Sequence, residues 1–140
     1  MEYIMKENCL DYSTYLSLRE SVGWSNFCKE QAESAINNSY YSVIVESGSE
    51  AIGMGRTVGD GLYFTIVDVV VRPKYQGNGI GTAIIRSILK NIEDNMCSGS
   101  RVSVQLLSEI GKEAFYIKQG FKLLPHEHCG PALRKILIKQ

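Results

Sequence analysis

Three glycines fall within five residues of one short segment of the 140-residue chain. The segment runs Val71-Arg72-Pro73-Lys74-Tyr75-Gln76-Gly77-Asn78-Gly79-Ile80-Gly81-Thr82 and separates a predicted strand from a predicted helix. Because glycine lacks Cβ, its backbone N–H group can approach a ligand closely. The first turn of the helix adds N–H groups without intrahelical partners and a dipole that favours anions. The segment therefore predicts a phosphate cradle, to which Thr82 would add a hydroxyl and Arg72 and Lys74 positive charge.

Two common phosphate-binding patterns do not fit this segment. The P-loop requires a lysine directly after its last glycine, and Thr82 follows Gly81. The dinucleotide pattern GxGxxG requires its third glycine at position 82, and it opens a βαβ unit, whereas an antiparallel meander is predicted before this segment. What remains is Gln76-x-x-Gly79-x-Gly81 after a strand that ends in Val-x-Pro. A glycine-rich turn without a ligand is the alternative interpretation.

A second segment follows later in the chain. It runs Ala114-Phe115-Tyr116-Ile117-Lys118-Gln119-Gly120-Phe121, at the end of a predicted helix and the start of a predicted strand. Together the two segments resemble the acyl-CoA pyrophosphate loop and the A-x-x-F-Y-x-x-x-G-F stretch of the GCN5-related N-acetyltransferase (GNAT) superfamily. They occur in the order that the family has, with a predicted helix and strand between them.

The elements that must position these segments follow from periodicity and turn residues. Strands are predicted over residues 2–7, 41–45, 51–58, 62–71, 102–106, 121–124 and 133–138, and helices over 12–21, 26–37, 79–96 and 108–119. Asp11 or Ser13 would cap the first helix and Ser108 the last. The resemblance implies a mixed α+β fold with a central twisted mixed sheet of six to seven strands and about four helices, in one domain spanning 1–140. The parallel strands 62–71 and 102–106 would splay apart to admit the pantetheine arm.

The resemblance also implies roles for individual residues. The pyrophosphate of acetyl-CoA would be held by the loop residues Gln76, Gly77, Asn78, Gly79, Ile80, Gly81 and Thr82. The backbone of Val71 would pair with pantetheine, and the Val69 N–H would polarise the thioester carbonyl, on which negative charge grows during acyl transfer. Tyr116 matches the tyrosine that gives a proton to the leaving thiolate.

The group that removes a proton from the amine is open. Asp68 interrupts the apolar run Ile66-Val67-Asp68-Val69-Val70-Val71, where a carboxylate is costly unless it is paired or faces a wet cleft. It is therefore a candidate base or amine-binding group, and equally a structural partner for an arginine or a backbone N–H. His126, His128 and water are the other candidates. Because no further histidine or CxxC pair accompanies His126-Glu127-His128-Cys129, no metal site is expected.

The resemblance implies an enzyme that transfers the acetyl group of acetyl-CoA to a primary amine by direct attack in a ternary complex. The alternative is a catalytically inactive CoA-binding sensor on the same fold. A small-molecule acceptor is favoured over a protein, because the chain has little material for a peptide-binding extension. Many members of the family are dimers, so the resemblance suggests a homodimer.

Composition excludes other classes. Lys plus Arg and Asp plus Glu each number 15, so no general positive charge points to nucleic acid or to a membrane surface. No segment reaches the roughly 20 apolar residues of a membrane span, and the N-terminus lacks the pattern of an export signal, so a cytoplasmic location is expected. Charge divides along the chain. Residues 1–60 contain 4 basic and 9 acidic side chains, and residues 61–140 contain 11 basic and 6 acidic side chains. The acidic part would favour a cationic amine.

Overall fold

Five strands form one mixed sheet in the order β1-β2-β3-β4-β5. The computed structural model describes residues 1–140, which fall into two compact units, Met1–Leu107 and Ser108–Gln140. The strands are β1 (Ile4–Glu7), β2 (Tyr41–Ser47), β3 (Glu50–Gly59), β4 (Tyr63–Val71) and β5 (Ser103–Leu106). The helices are α1 (Tyr12–Ser21), α2 (Lys29–Asn37), α3 (Ile80–Asp94) and α4 (Glu113–Lys118). The mixed α+β architecture is confirmed, whereas the prediction of a single domain stays a prediction.

The first four strands pair antiparallel, and β4 pairs with β5 in parallel after the crossover through α3. The first five residues of β2 are all buried, because helices cover both faces of the sheet. On one face α1 and α2 pack through Tyr15, Leu18 and Ala32. On the other face lies α3, whose buried residues recur at helical spacing: Ile80, Ile84, Ile85, Ile88 and Ile92.

The starts of α1 and α4 differ in how far they match the predicted caps. The N-cap of α1 is Asp11, whose carboxylate accepts a hydrogen bond from the Thr14 N–H at 2.8 Å. Of the two predicted caps, Asp11 and Ser13, the first is therefore confirmed. The prediction for the last helix was wrong at its start. The Ser108 hydroxyl donates to the Glu109 carbonyl instead of capping, and α4 begins only at Glu113. None of the helices combines the length and apolar character that crossing a bilayer requires.

The last two predicted strands do not form, so the sheet has five strands and not six or seven. Within residues 121–140 the only β pairing is an isolated bridge between His126 and Cys129. Four large apolar side chains of the final segment are exposed: Leu133, Ile136, Leu137 and Ile138. A β-rich pattern becomes a strand only where a neighbouring backbone and an apolar surface accept it, and in this structure neither segment has such a partner.

A bulge in β4 changes which side chains meet each face of the sheet. Met54 pairs with Val70 and Arg56 pairs with Val67, so Asp68 and Val69 both lie opposite Gly55. Before the bulge, Ile66 lies in the row Tyr41–Thr57–Ile66, on the face that α3 covers. After it, Val70 lies in the row Ile44–Met54–Val70, which packs against α1. The extra residue thus shifts the alternation by one position.

Candidate active site

One edge of β4 has no strand beside it beyond the point where its pairing with β5 ends. The parallel register covers Tyr63–Ile66 against Ser103–Leu106 and ends there, while β4 continues to Val71 with only β3 as its neighbour. An unpaired strand edge presents backbone N–H and C=O groups to a ligand in extended conformation. Val69 and Val71 lie in this open part of β4. The splaying of the two strands stays a prediction, because β5 itself ends at Leu106.

The glycine-rich segment forms the turn that follows β4. Gly77 and Gly79 adopt left-handed backbone conformations, with φ of 82° and 78°. A Cβ on either residue would meet no heavy atom within 4 Å, so the space beside both is open. Gly79 is the N-cap of α3 and provides no side-chain cap, and no acidic residue lies in the first turn. This end of α3 therefore offers N–H groups and a positive dipole end to an anion.

Side chains near the turn brace it. The Gln76 Nε2 donates to the Val71 carbonyl at 3.0 Å, and the Asn78 Nδ2 donates to the Tyr75 carbonyl at 3.0 Å. Arg72, expected to bring charge to the mouth, instead donates to the Ala51 carbonyl and to the Ser17 hydroxyl, both at 2.7 Å. Because these three side chains are committed to the protein, they are not the groups expected to hold the anion, and the backbone N–H groups of the turn are the main candidates.

Asp68 is held by three donors. Its carboxylate accepts from the Tyr15 hydroxyl at 2.9 Å, from Arg19 Nη1 at 2.6 Å and from Arg56 Nε at 2.8 Å. The Asp68 side chain is 9% exposed, and those of the two arginines are 10% and 12% exposed. Burial, followed by the nearby Asp68 charge, raises the pKa of Tyr15, so this phenol stays protonated as a donor. The structural role considered for Asp68 is what these contacts show, and its catalytic role stays a prediction.

The sequence-based prediction missed the partners of Asp68. Arg19 precedes it by 49 residues, and Arg56 lies on the neighbouring strand. One local signal was available, because Tyr15 and Arg19 are four residues apart on α1 and therefore share one face of the helix. A buried arginine beside that tyrosine indicates a carboxylate partner elsewhere in the core.

Tyr116 belongs to the second unit, on α4. Its ring makes edge-on contacts with Phe115 and Phe121, at centroid separations of 5.0 Å and 6.0 Å. Burial, and to a lesser degree the negative charge of Glu109, raises the pKa of the Tyr116 phenol. At neutral pH this group is therefore protonated and able to donate, as a general acid must be.

The two histidines lie in the loop after α4. His126 and His128 are joined by a hydrogen bond from the His128 N–H to the His126 Nδ1 at 3.1 Å. With Glu127 and Cys129 they do not make a group of three ligands placed for a metal ion. Their role as a base, and the expected absence of a metal, stay predictions.

More than half of the nine acidic residues of 1–60 are engaged by other groups of the protein. Five carboxylates serve separate local contacts: Asp11 caps α1, Asp60 accepts from two N–H groups of its turn, Glu46 pairs with Lys6, and Glu7 and Glu50 accept from tyrosines. Charge held in such dispersed contacts gives little focused attraction for a cation. The suggestion that this part of the chain favours a cationic amine therefore loses support.

Known acetyltransferases resemble this chain in sequence. The family model described as an acetyltransferase (GNAT) domain matches residues 13–131. A curated relative from Prochlorococcus marinus, an uncharacterized N-acetyltransferase of the ycf52-like type, is 32% identical over 121 residues, covering 83% of this chain and 65% of the relative. The chain thus spans somewhat less than two thirds of that relative's length.

Two solved structures have the same fold. A probable acetyltransferase of unknown function from meticillin-resistant Staphylococcus aureus is 29% identical, with a TM-score of 0.83 over 96% of this chain and 100% of that one. A GNAT-family acetyltransferase from Streptococcus pneumoniae is 28% identical, with a TM-score of 0.79 over 99% of both chains. With the glycine-rich turn, the open strand edge and the family match over most of its length, the chain belongs to the GNAT acetyltransferase family.

Proposed function

We propose that the chain is an acetyl-CoA-dependent N-acetyltransferase that transfers the acetyl group directly to a primary amine in a ternary complex. One observation carries this proposal: the N-terminus of α3, which has no side-chain cap and is preceded by two left-handed glycines, follows the open-edged part of β4 after the 72–79 connection. An extended ligand with a pyrophosphate at one end fits such an arrangement, since the strand edge takes the arm and the helix end takes the anion.

The chain's own residues have distinct tasks in this proposal. Backbone N–H groups of 76–82 hold the pyrophosphate, and the Val71 backbone pairs with the arm. The thioester supplies an activated acyl group, and the Val69 N–H donates to its carbonyl oxygen, where negative charge increases as the amine attacks. Tyr116 gives its proton to the departing thiolate. The amine must be neutral to attack, and water, His126 or His128 takes its proton.

The bracing of the loop adds a condition to arm binding. Gln76 Nε2 donates to the Val71 carbonyl, so an arm that pairs with this carbonyl must share or displace that side chain. A small-molecule amine remains our proposed acceptor class. A homodimer and a cytoplasmic location remain expectations from the family resemblance and from the sequence.

Gly79→Val tests the cradle. We expect CoA to raise the melting temperature of the wild type, because a ligand that binds only the folded state stabilises it, by about 2.7 kcal/mol at 100 times Kd. In the variant a β-branched side chain occupies the open space at a φ of 78°, so CoA affinity should fall at least about tenfold. Thermal shift over a CoA titration measures both quantities.

Gly61→Val is the matched control. Gly61 has a φ of 95° and open space around its missing Cβ, so the substitution imposes a similar strain in the turn before β4. The CoA-induced rise in melting temperature of this variant should equal that of the wild type. An unchanged CoA affinity in Gly79→Val would contradict the proposed cradle, and a wild type that CoA does not stabilise would contradict the proposed function.

A further inference from the structure

We infer that Asp68 is a positioning residue whose carboxylate, held by Tyr15, Arg19 and Arg56, fixes the bulge of β4 and thereby sets the position of the Val69 backbone. The inference rests on the proposed function, in which the Val69 N–H meets the acyl group. It assigns to a buried ion cluster a task in acyl transfer without giving it contact with the substrate.

The backbone at Asp68 needs external support. Its φ is 55°, a left-handed backbone conformation that residues other than glycine adopt at a cost in free energy. Bulges of this type commonly place glycine at that position. Asp68 is therefore held there by its contacts, and Val69 is the other residue of the bulge, opposite Gly55.

The contacts restrain the bulge from two separate elements. Arg19 reaches Asp68 from α1, while Arg56 reaches it from β3 and also donates to the Ser39 hydroxyl at 3.2 Å. The Arg19 guanidinium is itself fixed, since it lies 5.2 Å from the Trp24 ring and 4.9 Å from the Phe27 ring and donates to the Ser25 carbonyl. Charged hydrogen bonds between such fixed groups are the strong kind.

The bulge also decides which face receives Asp68. Without the extra residue, Asp68 would share the face of Ile66, which α3 covers. With it, Asp68 points to α1, and Val69 lies on the α3 side, where a Cβ at Gly55 would meet Val69 and Ile84 together. Asp68 and Val69 are thus consecutive residues whose side chains lie on opposite faces of the sheet.

These contacts also weigh against Asp68 as the base. A carboxylate offers about four lone-pair sites, and three donors already occupy it. A base must direct a lone pair at the proton that it removes. At most about one site is left for a proton, so the contacts favour the task of holding the strand over that of a base.

Asp68→Asn is the first variant, because asparagine tolerates the same left-handed conformation but carries no charge. We expect kcat for acetyl transfer to fall about tenfold to hundredfold, since an oxyanion donor out of place loses much of its effect. The CoA-induced rise in melting temperature should stay, because the 77–79 turn is untouched. The pH dependence of kcat should keep its shape, as no proton acceptor has been removed.

Two further variants guard against simple loss of folding. Tyr15→Phe removes one hydrogen bond and little else, and should lower kcat by about threefold. The double variant Arg56→Gln with Asp68→Asn should lower kcat little more than Asp68→Asn alone, because both residues act through one cluster. Glu46→Gln, which removes a surface ion pair with Lys6 in the same sheet, is the control and should keep the wild-type kcat.

The outcomes separate the two proposals. If the wild type transfers acetyl groups and Asp68→Asn keeps its kcat, the positioning role is wrong. If Asp68→Asn loses one limb of the pH profile, Asp68 is the base and the positioning role is again wrong. If the wild type transfers no acetyl group, the proposed function fails, and amide hydrogen exchange still tests the bulge: exchange at Val69 about tenfold faster in Asp68→Asn supports it, and an unchanged rate contradicts it.

Discussion

Tyr116→Phe should lower kcat about 10²-fold or more while leaving the affinity for acetyl-CoA nearly unchanged. General acid catalysis typically contributes 10²–10⁴-fold, and phenylalanine keeps the ring contacts with Phe115 and Phe121 while removing the hydroxyl. Burial and Glu109 raise the pKa of this phenol, so the wild type retains its proton across the neutral range. A CoA thiolate that leaves without a proton donor forms at a higher free energy.

Steady-state kinetics with varied amine and acetyl-CoA measure this effect, and a CoA thermal-shift titration measures binding. Tyr3→Phe is the control, because it removes a phenol oxygen from the N-terminal segment and should leave kcat unchanged. A Tyr116→Phe variant with wild-type kcat would remove Tyr116 as the acid. A variant that loses CoA affinity in proportion to its activity would assign the tyrosine to binding.

Gly55→Val should have the largest effect on stability, lowering the free energy of unfolding by about 3 kcal/mol. A Cβ at this position would lie 2.5 Å from Ile84 Cγ2 and 3.2 Å from Ile88 Cδ1. Gly55 thus permits the close approach of α3 to β3, and a larger residue must push the helix away. Because Gly79 is the residue at which α3 begins, displacement of this helix would also disturb the proposed cradle, so CoA affinity should fall as well.

Urea unfolding measures the loss, with Gly130→Val as control, because Gly130 is exposed and a Cβ added there would meet no heavy atom within 4 Å. The control should change the free energy of unfolding by less than about 0.5 kcal/mol. Gly55→Ala combined with Ile84→Ala should cost less than the sum of the two single changes, since the second removes the clashing methyl group. Strict additivity would contradict the close approach of helix and strand.

The sequence predicted those parts of the fold whose causes are local. The apolar spacing along α3 and the three glycines of the turn each mark a constraint within a few residues. The strands of the meander and the helix after it were therefore placed within about two residues. The cradle was predicted for the same reason, because both its glycines and its helix N-terminus lie in one continuous segment.

Features that depend on distant partners were not predictable in this way. The bulge at Asp68 arises from contacts with Arg19 and Arg56, and no pattern within β4 specifies them. The residues 121–124 and 133–138 have the composition of strands, yet strand formation depends on a pairing partner that composition does not encode. Ser108 had the right chemistry for a cap, but its hydroxyl donates to the adjacent Glu109 carbonyl.

The most direct test of the proposed function is release of free CoA thiol from acetyl-CoA in the presence of a panel of amines. The panel should contain small amines, amino acids, an aminoglycoside and a lysine peptide, with mass spectrometry of the acetylated product. We predict thiol release that depends on at least one small amine and matches the amount of acetylated amine. CoA-stabilised protein that releases no thiol with any amine would contradict catalysis and identify a CoA-binding protein without transferase activity.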